Sequence, residues 1–192
     1  MAVGFAWAGS SSAATREVLA LMGLAWGARL GTYLWRRNWS SPEDWRYAKF
    51  RAEWGAQAQF KMFWFLQFQN VFTLALACSA FLPAAYREGS APTWALALAV
   101  GIWLVAAVGE AVADAQLRTF KADPRNRGQV CDVGLWQHSR HPNYFFECVH
   151  WLAYVPLAWG SPLWVWTLIA PVVMWVLILK TVSYTHLRAH ET

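Results

Sequence analysis

The chain has 192 residues, of which 57% are hydrophobic and only 14% charged, with 15 Trp, three Cys and a formal net charge of +5. Ordinary soluble domains carry about a quarter charged residues, so this balance excludes that class and excludes a disordered chain. The cysteines lack CxxC spacing, which excludes a disulfide framework and a thiolate metal site.

The first dozen residues hold an apolar fragment too short to span a membrane, and they read as the remnant of an earlier helix. About five apolar windows follow, at 18–35, 62–82, 93–112, 144–159 and 163–179. Crossing a hydrocarbon core of about 30 Å takes roughly 20 helical residues. The fourth window is short, and its helix is expected to begin earlier, in the preceding "HPNY". These windows predict an all-α fold, a multi-pass transmembrane helical bundle forming one domain over residues 1–182. The last decamer, "SYTHLRAHET", changes composition abruptly and reads as a non-native tail, so His186 and His190 take no role.

Basic residues lie on alternate sides of these windows. Arg36, Arg37, Arg46, Lys49, Arg51 and Lys61 sit between the first two, and Arg118, Lys121, Arg125, Arg127 and Arg140 between the third and fourth. By the positive-inside rule the N-terminus is outside, the basic loops are cytoplasmic and the chain ends on the cytoplasmic side. The same distribution argues against a nucleic-acid groove, because no soluble domain carries the charge. Between the first two spans, Ser41, Pro42, Glu43 and Asp44 form a helix start, and an interfacial helix is expected from there to about Trp54.

Two polar constellations interrupt the apolar pattern. In "GEAVADAQLRTFK", Glu110, Asp114, Arg118 and Lys121 share one helical face. Asp114 and Arg118 alone would pass as an interfacial pair worth about 0.3–0.5 kcal/mol, but Glu110 has apolar sequence on both sides and needs a partner. In "GLWQHSRHPNYFFECVHW", Pro142 suits the first position of a helix and His141 becomes its hinge. Asn143, Glu147 and His150 then recur on one face. Arg140 and the N-terminal end of that helix favour an anion such as a phosphate or pyrophosphate. His141, Glu147 and His150 match no metal-site spacing. The chain has no nucleophile motif and no Walker or Rossmann glycine loop, so a nucleotide would be held by helix ends and side chains of the bundle.

The ordered set "EDWRY", "ADAQ" and "SRHPNYFFE" resembles the DUF1295-like bacterial membrane proteins related to steroid 5-alpha-reductases and sterol reductases, over about residues 19–179. The resemblance implies an NADPH pocket inside the bundle. On it, Asp114, Lys121, Asn143 and Glu147 match cofactor-binding positions, Arg140, His141 and Tyr144 match the "RHxNY" form, and Glu110 stands where steroid reductases carry Asn. Four departures stand out. Phe146 replaces a small residue and is expected to crowd a ligand, Trp26 stands at a Tyr position, and the early span bearing a catalytic Glu is missing, as is the expected C-terminal segment. The implied activity is reduction of a C=C bond in a lipid or steroid-like enone by NADPH, in a bacterial inner membrane, with the cofactor site facing the cytoplasm. The partners are then the bilayer and a hydrophobic small molecule. The "RHPxY" element is shared with S-adenosylmethionine-dependent methyltransferases of the isoprenylcysteine type, which is the alternative enzyme; a non-catalytic membrane bundle is the third reading.

Overall fold

The computed structural model describes residues 1–40 and 45–189, with side chains for all of these except 37, 38, 40, 45, 46 and 181–189. The described residues are helices, 3-10 turns and connectors, with no strand among them. In chain order the α-helices are α1 (Ala2–Ala8), α2 (Ala13–Ser40), α3 (Trp45–Trp54), α4 (Ala58–Ala85), α5 (Thr93–Ala122), α6 (Pro142–Leu152), α7 (Tyr154–Leu157) and α8 (Ile169–Ala189).

Two helical stretches, Tyr47–Ala85 and Thr93–Ala122, are long and apolar enough to cross a membrane. Only 28% and 22% of their most apolar windows are buried inside the protein. A core helix of a soluble domain would bury most of such a window; here Phe60, Phe68, Leu98, Val105 and Val108 face outward. Helix α2 has the length, 28 residues, but Arg29 interrupts its apolar window.

The fourth window differs from its expectation of one continuous helix at 144–159. The helix begins at Pro142, as "HPNY" indicated, but ends at Leu152, and a four-residue helix follows. Pro156 supplies the reason: it lacks an N–H, and its ring clashes with the carbonyl four residues back, which is that of Leu152. The fifth window opens as a 3-10 turn, Trp164–Leu168, before α8. The expected start of the interfacial helix at Ser41–Asp44 lies outside the described residues; its end at Trp54 is observed, where Gly55 takes φ +50°. The expected tail at 183–192 falls where α8 runs on to Ala189, and 190–192 lie outside the described residues.

The apolar core occupies one end of the bundle. Leu19 and Met22 of α2, Ala80 and Phe81 of α4, and Tyr154 and Leu157 of α7 meet there, with Ala2 and Ala6 of α1 against them. The same end is tied by two hydrogen bonds: the Ser11 N–H donates to the Ala85 carbonyl at 3.0 Å, and the Ala91 N–H to the Thr15 side-chain Oγ1 at 3.3 Å. Helix α5 buries Ala95, Ala99, Ala106 and Ala113 on one face, and this small-residue stripe lets neighbouring helices approach closely. Glu110 is the charged residue on that stripe. At Gly109 the ring of Phe146 from α6 occupies the space a Cβ would need. Phe146 therefore seals the α5–α6 contact, and it is not among the cavity-lining residues.

Candidate functional site

At the end of the bundle away from the core, α2, α5 and the start of α6 diverge around a cavity of about 1200 Å³. Helix α2 contributes Arg29, Thr32, Tyr33 and Arg36 to its wall. From α5 come Asp114, Leu117, Arg118 and Lys121, and from α6 with its preceding turn Trp136, His141, Asn143 and Tyr144.

Local chemistry fixes the loop that closes the site. Gly134, at φ +57°, lies against Gln116 so closely that a Cβ would overlap that side chain. The Leu135 N–H donates to Gln116 Oε1 at 2.9 Å, and Trp136 Nε1 donates to the Ala113 carbonyl at 3.0 Å. These two bonds dock the 3-10 turn Gly134–Gln137 on α5 and deliver residues 138–141 to the cavity rim. The His141 N–H then donates to Ser139 Oγ at 3.2 Å. His141 itself is non-helical, φ −143° and ψ 61°, as a residue preceding proline should be, and α6 starts immediately after it.

The floor of the cavity is an ion cluster. Arg29 Nη2 pairs with Glu110 Oε1, and Arg29 Nη1 lies 3.7 Å from Asp114 Oδ2. One guanidinium thus bridges two carboxylates a helical turn apart, which is the partner Glu110 required. Asn143 lines the cavity with Asp114, and its side-chain Oδ1 is buried and unpartnered. Beneath the cluster runs an aromatic column. The Arg29 guanidinium sits 4.5 Å from the Trp26 ring centre, Trp26 stacks on His150 at 3.6 Å, and His150 Nε2 is 3.4 Å from the Tyr154 hydroxyl in the core. The column connects the floor to the apolar core.

Of the sequence-derived site residues, Asp114, Lys121, His141, Asn143 and Tyr144 line the cavity together. Glu110 does not line it; it lies below, buried and held by Arg29. Glu147 sits a turn deeper on α6, beside Glu110 and Arg29, and is likewise absent from the wall. Arg140 lines a separate groove on the other side of α6. Sequence reasoning missed Arg29, Tyr33 and Trp136, and it noted Trp26 only as a departure from the resemblance. Arg29 carried a usable signal, being a lone charge in an apolar window, the same signal that singled out Glu110.

Just past α5, outside the apolar helix, Asp123 accepts from the Arg125 backbone N–H at 3.0 Å and from its guanidinium at 2.7 Å. The Arg125 bonds hold its carboxyl below the usual aspartate range. Asn126 Nδ2 donates to the Phe120 carbonyl at 2.9 Å and satisfies one of the open carbonyls of the last turn. Among the described residues no group of three or more His, Cys, Asp or Glu side chains is placed to hold a metal ion.

Fold and site together define an all-helical protein with two helices apolar enough to cross a membrane and a cavity at one end of the bundle whose largely apolar wall carries cationic side chains. The chain belongs to the family described as "Protein of unknown function (DUF1295)", whose model matches residues 1–191. No curated protein and no solved structure matches it.

Proposed function

We propose that the protein is a multi-pass membrane reductase that binds NADPH in the 1200 Å³ cavity and reduces a C=C bond of a lipid or steroid-like enone. The observation that carries this reading is the charge order within one cavity: Arg36, Arg118 and Lys121 around its wall, Asp114 and Asn143 at its floor, and the aromatic faces of Tyr33, Trp136 and Tyr144 between. Cationic side chains from two helices suit the phosphates of a dinucleotide. The buried, unpartnered Asn143 Oδ1 suits an amide or hydroxyl donor of the same ligand, since a buried acceptor left unmade costs about 1–3 kcal/mol. The volume lies just above the roughly 300–1,000 Å³ of small-molecule sites, as suits a long cofactor.

When bound, NADPH supplies a hydride which, with one proton, turns the C=C into CH–CH and leaves NADP⁺. The chain's own residues bind and orient. Arg36, Arg118 and Lys121 hold the anionic part at the rim, Asp114 and Asn143 set the depth, and the Arg29 bridge keeps Asp114 aimed into the cavity. Basic residues gather at the cavity end of the bundle, with Arg125, Arg127 and Arg140 in the adjoining loop, while Arg16 and Arg87 stand at the opposite end beside Glu17 and Glu88. That asymmetry supports a five-span topology with the cavity facing the cytoplasm of a bacterial cell.

Titration of the purified protein with NADPH tests the reading. Saturable binding that weakens about tenfold in Asn143→Ala and in Asp114→Ala is expected, the loss of roughly 1.4 kcal/mol each. Binding of S-adenosylmethionine instead would make it a methyltransferase, and binding of neither ligand would leave a non-catalytic bundle.

A further inference from the structure

A second concavity lies on the far side of α6. It has about 330 Å³ and runs between α6 and α8. Ser139, Arg140 and His141 form its polar mouth, Tyr144, Phe145 and Cys148 one wall, and Trp175 and Ile178 the other. The groove is therefore polar at the end where α6 begins and apolar along its length.

The first turn of α6 separates this groove from the large cavity. Successive helical residues turn by about 100°, so Phe145 points roughly 200° away from Asn143. Asn143 faces the cavity and Phe145 the groove. His141 and Tyr144 line both spaces, and their rings stack at 5.1 Å with an interplanar angle of 12°. This stacked pair at the start of α6 belongs to the walls of both spaces.

The groove is open sideways. Phe145 is 51% exposed and Trp175 47%, whereas Cys148 forms its floor at 3%. Its apolar walls cover about one turn of each helix, roughly 5.4 Å of rise. That length encloses a polar head and the first few carbons of a chain, and leaves the remainder outside among lipid. A rigid fused-ring nucleus would gain little from so short and open a trough, whereas a flexible chain keeps its tail in the bilayer and inserts its head.

We propose that this groove is the lipid-substrate site. It takes a single-chain amphiphile with a carboxyl or carbonyl head, drawn laterally from the bilayer. The head meets Arg140 and Ser139, the first carbons lie along Phe145, Cys148 and Trp175, and the His141–Tyr144 pair positions the chain against the cavity. The reaction at that pair rests on the reductase reading; the binding of a lipid in the groove does not.

Photolabelling tests it. The full chain in nanodiscs is irradiated with a long-chain fatty acid carrying a diazirine near its carboxyl, and the labelled peptides are mapped. Labelling should concentrate in 139–148 and 175–178. Ile178→Trp, which fills the groove from α8, should lower it about tenfold while NADPH affinity stays unchanged; Cys148→Trp, filling the floor, serves as the second variant. Arg140→Gln should lower labelling by the acid and not by the corresponding alcohol. Label spread over the outward faces of α4 and α5, indifferent to both Trp variants, would overturn the proposal, as would a photoreactive sterol enone displacing the fatty acid from the same peptides. Groove labelling that persists in a protein that binds no NADPH would leave the lipid site standing and remove the reductase.

Discussion

Arg29 is the side chain on which the site turns. Its guanidinium joins α2 to α5 through Glu110 and Asp114 and rests on Trp26, so that one residue ties the cavity floor to the aromatic column below. Replacing it by Met leaves two acids in a poorly solvated place without their cation. The expected cost is about 3 kcal/mol, the low end for a broken buried pair because 25% of the Arg29 side chain remains exposed. Chemical denaturation in mild detergent would read it, and the double variant Arg29→Met with Glu110→Gln should recover a large part of the loss. If the single variant were neutral, the cluster would be a surface pair of little consequence. Asp123 gives a prediction of the opposite kind. Its carboxyl is held below the ordinary 3.8, so its bonds to Arg125 are complete above that value and are lost as pH falls through the lower folded value. Protection of the Arg125 amide against exchange should therefore be lost only in strong acid. In Asp123→Ala, which removes the acceptor, it should be lost already at neutral pH.

Between elements, the approach of α6 to α5 depends on one complementary pair. Gly109 has no side chain where the Phe146 ring lies. Gly109→Val would overpack the contact and is expected to lower stability by about 1–3 kcal/mol, with partial rescue by Phe146→Ala. A thermal shift in detergent is the measurement, and equal stability of Gly109→Val and the wild type would show that the helices separate freely. Long apolar windows identified α2, α4 and α5 and the last helix, because a helix that meets lipid or core on every side carries almost no charge along its length. The break at Ala153 was readable too, since Pro156 stands four residues after Leu152, but a window average hides a single missing donor. The polar stripe from Glu110 to Lys121 was legible as a helical face and is one, since α5 continues without interruption to Ala122.

For the whole molecule, the core and the cavity occupy opposite ends of the bundle, and the charge follows the cavity. Under the proposed topology Cys131, in the loop after α5, faces the cytoplasm. A membrane-impermeant maleimide should label it in inverted vesicles and leave it unlabelled in intact cells; the reverse pattern would invert the protein. The resemblance to reductases alone placed the two polar clusters, Glu110, Arg140 and Glu147 included, in one pocket; the pattern of the amino-acid sequence determined where most of the long helices run and that polar residues cluster where α5 ends and α6 begins. These follow from hydropathy and from spacing along one chain. Only the tertiary structure decided that Glu110 is held by Arg29 below the cavity, that Glu147 lies deeper, and that Arg140 opens on the groove toward α8. Those outcomes depend on how far each helix is rotated about its axis and how closely it approaches its neighbour. Rotation and approach are set by contacts between distant residues, Phe146 on Gly109 and Trp26 on His150 among them, and no local spacing encodes them.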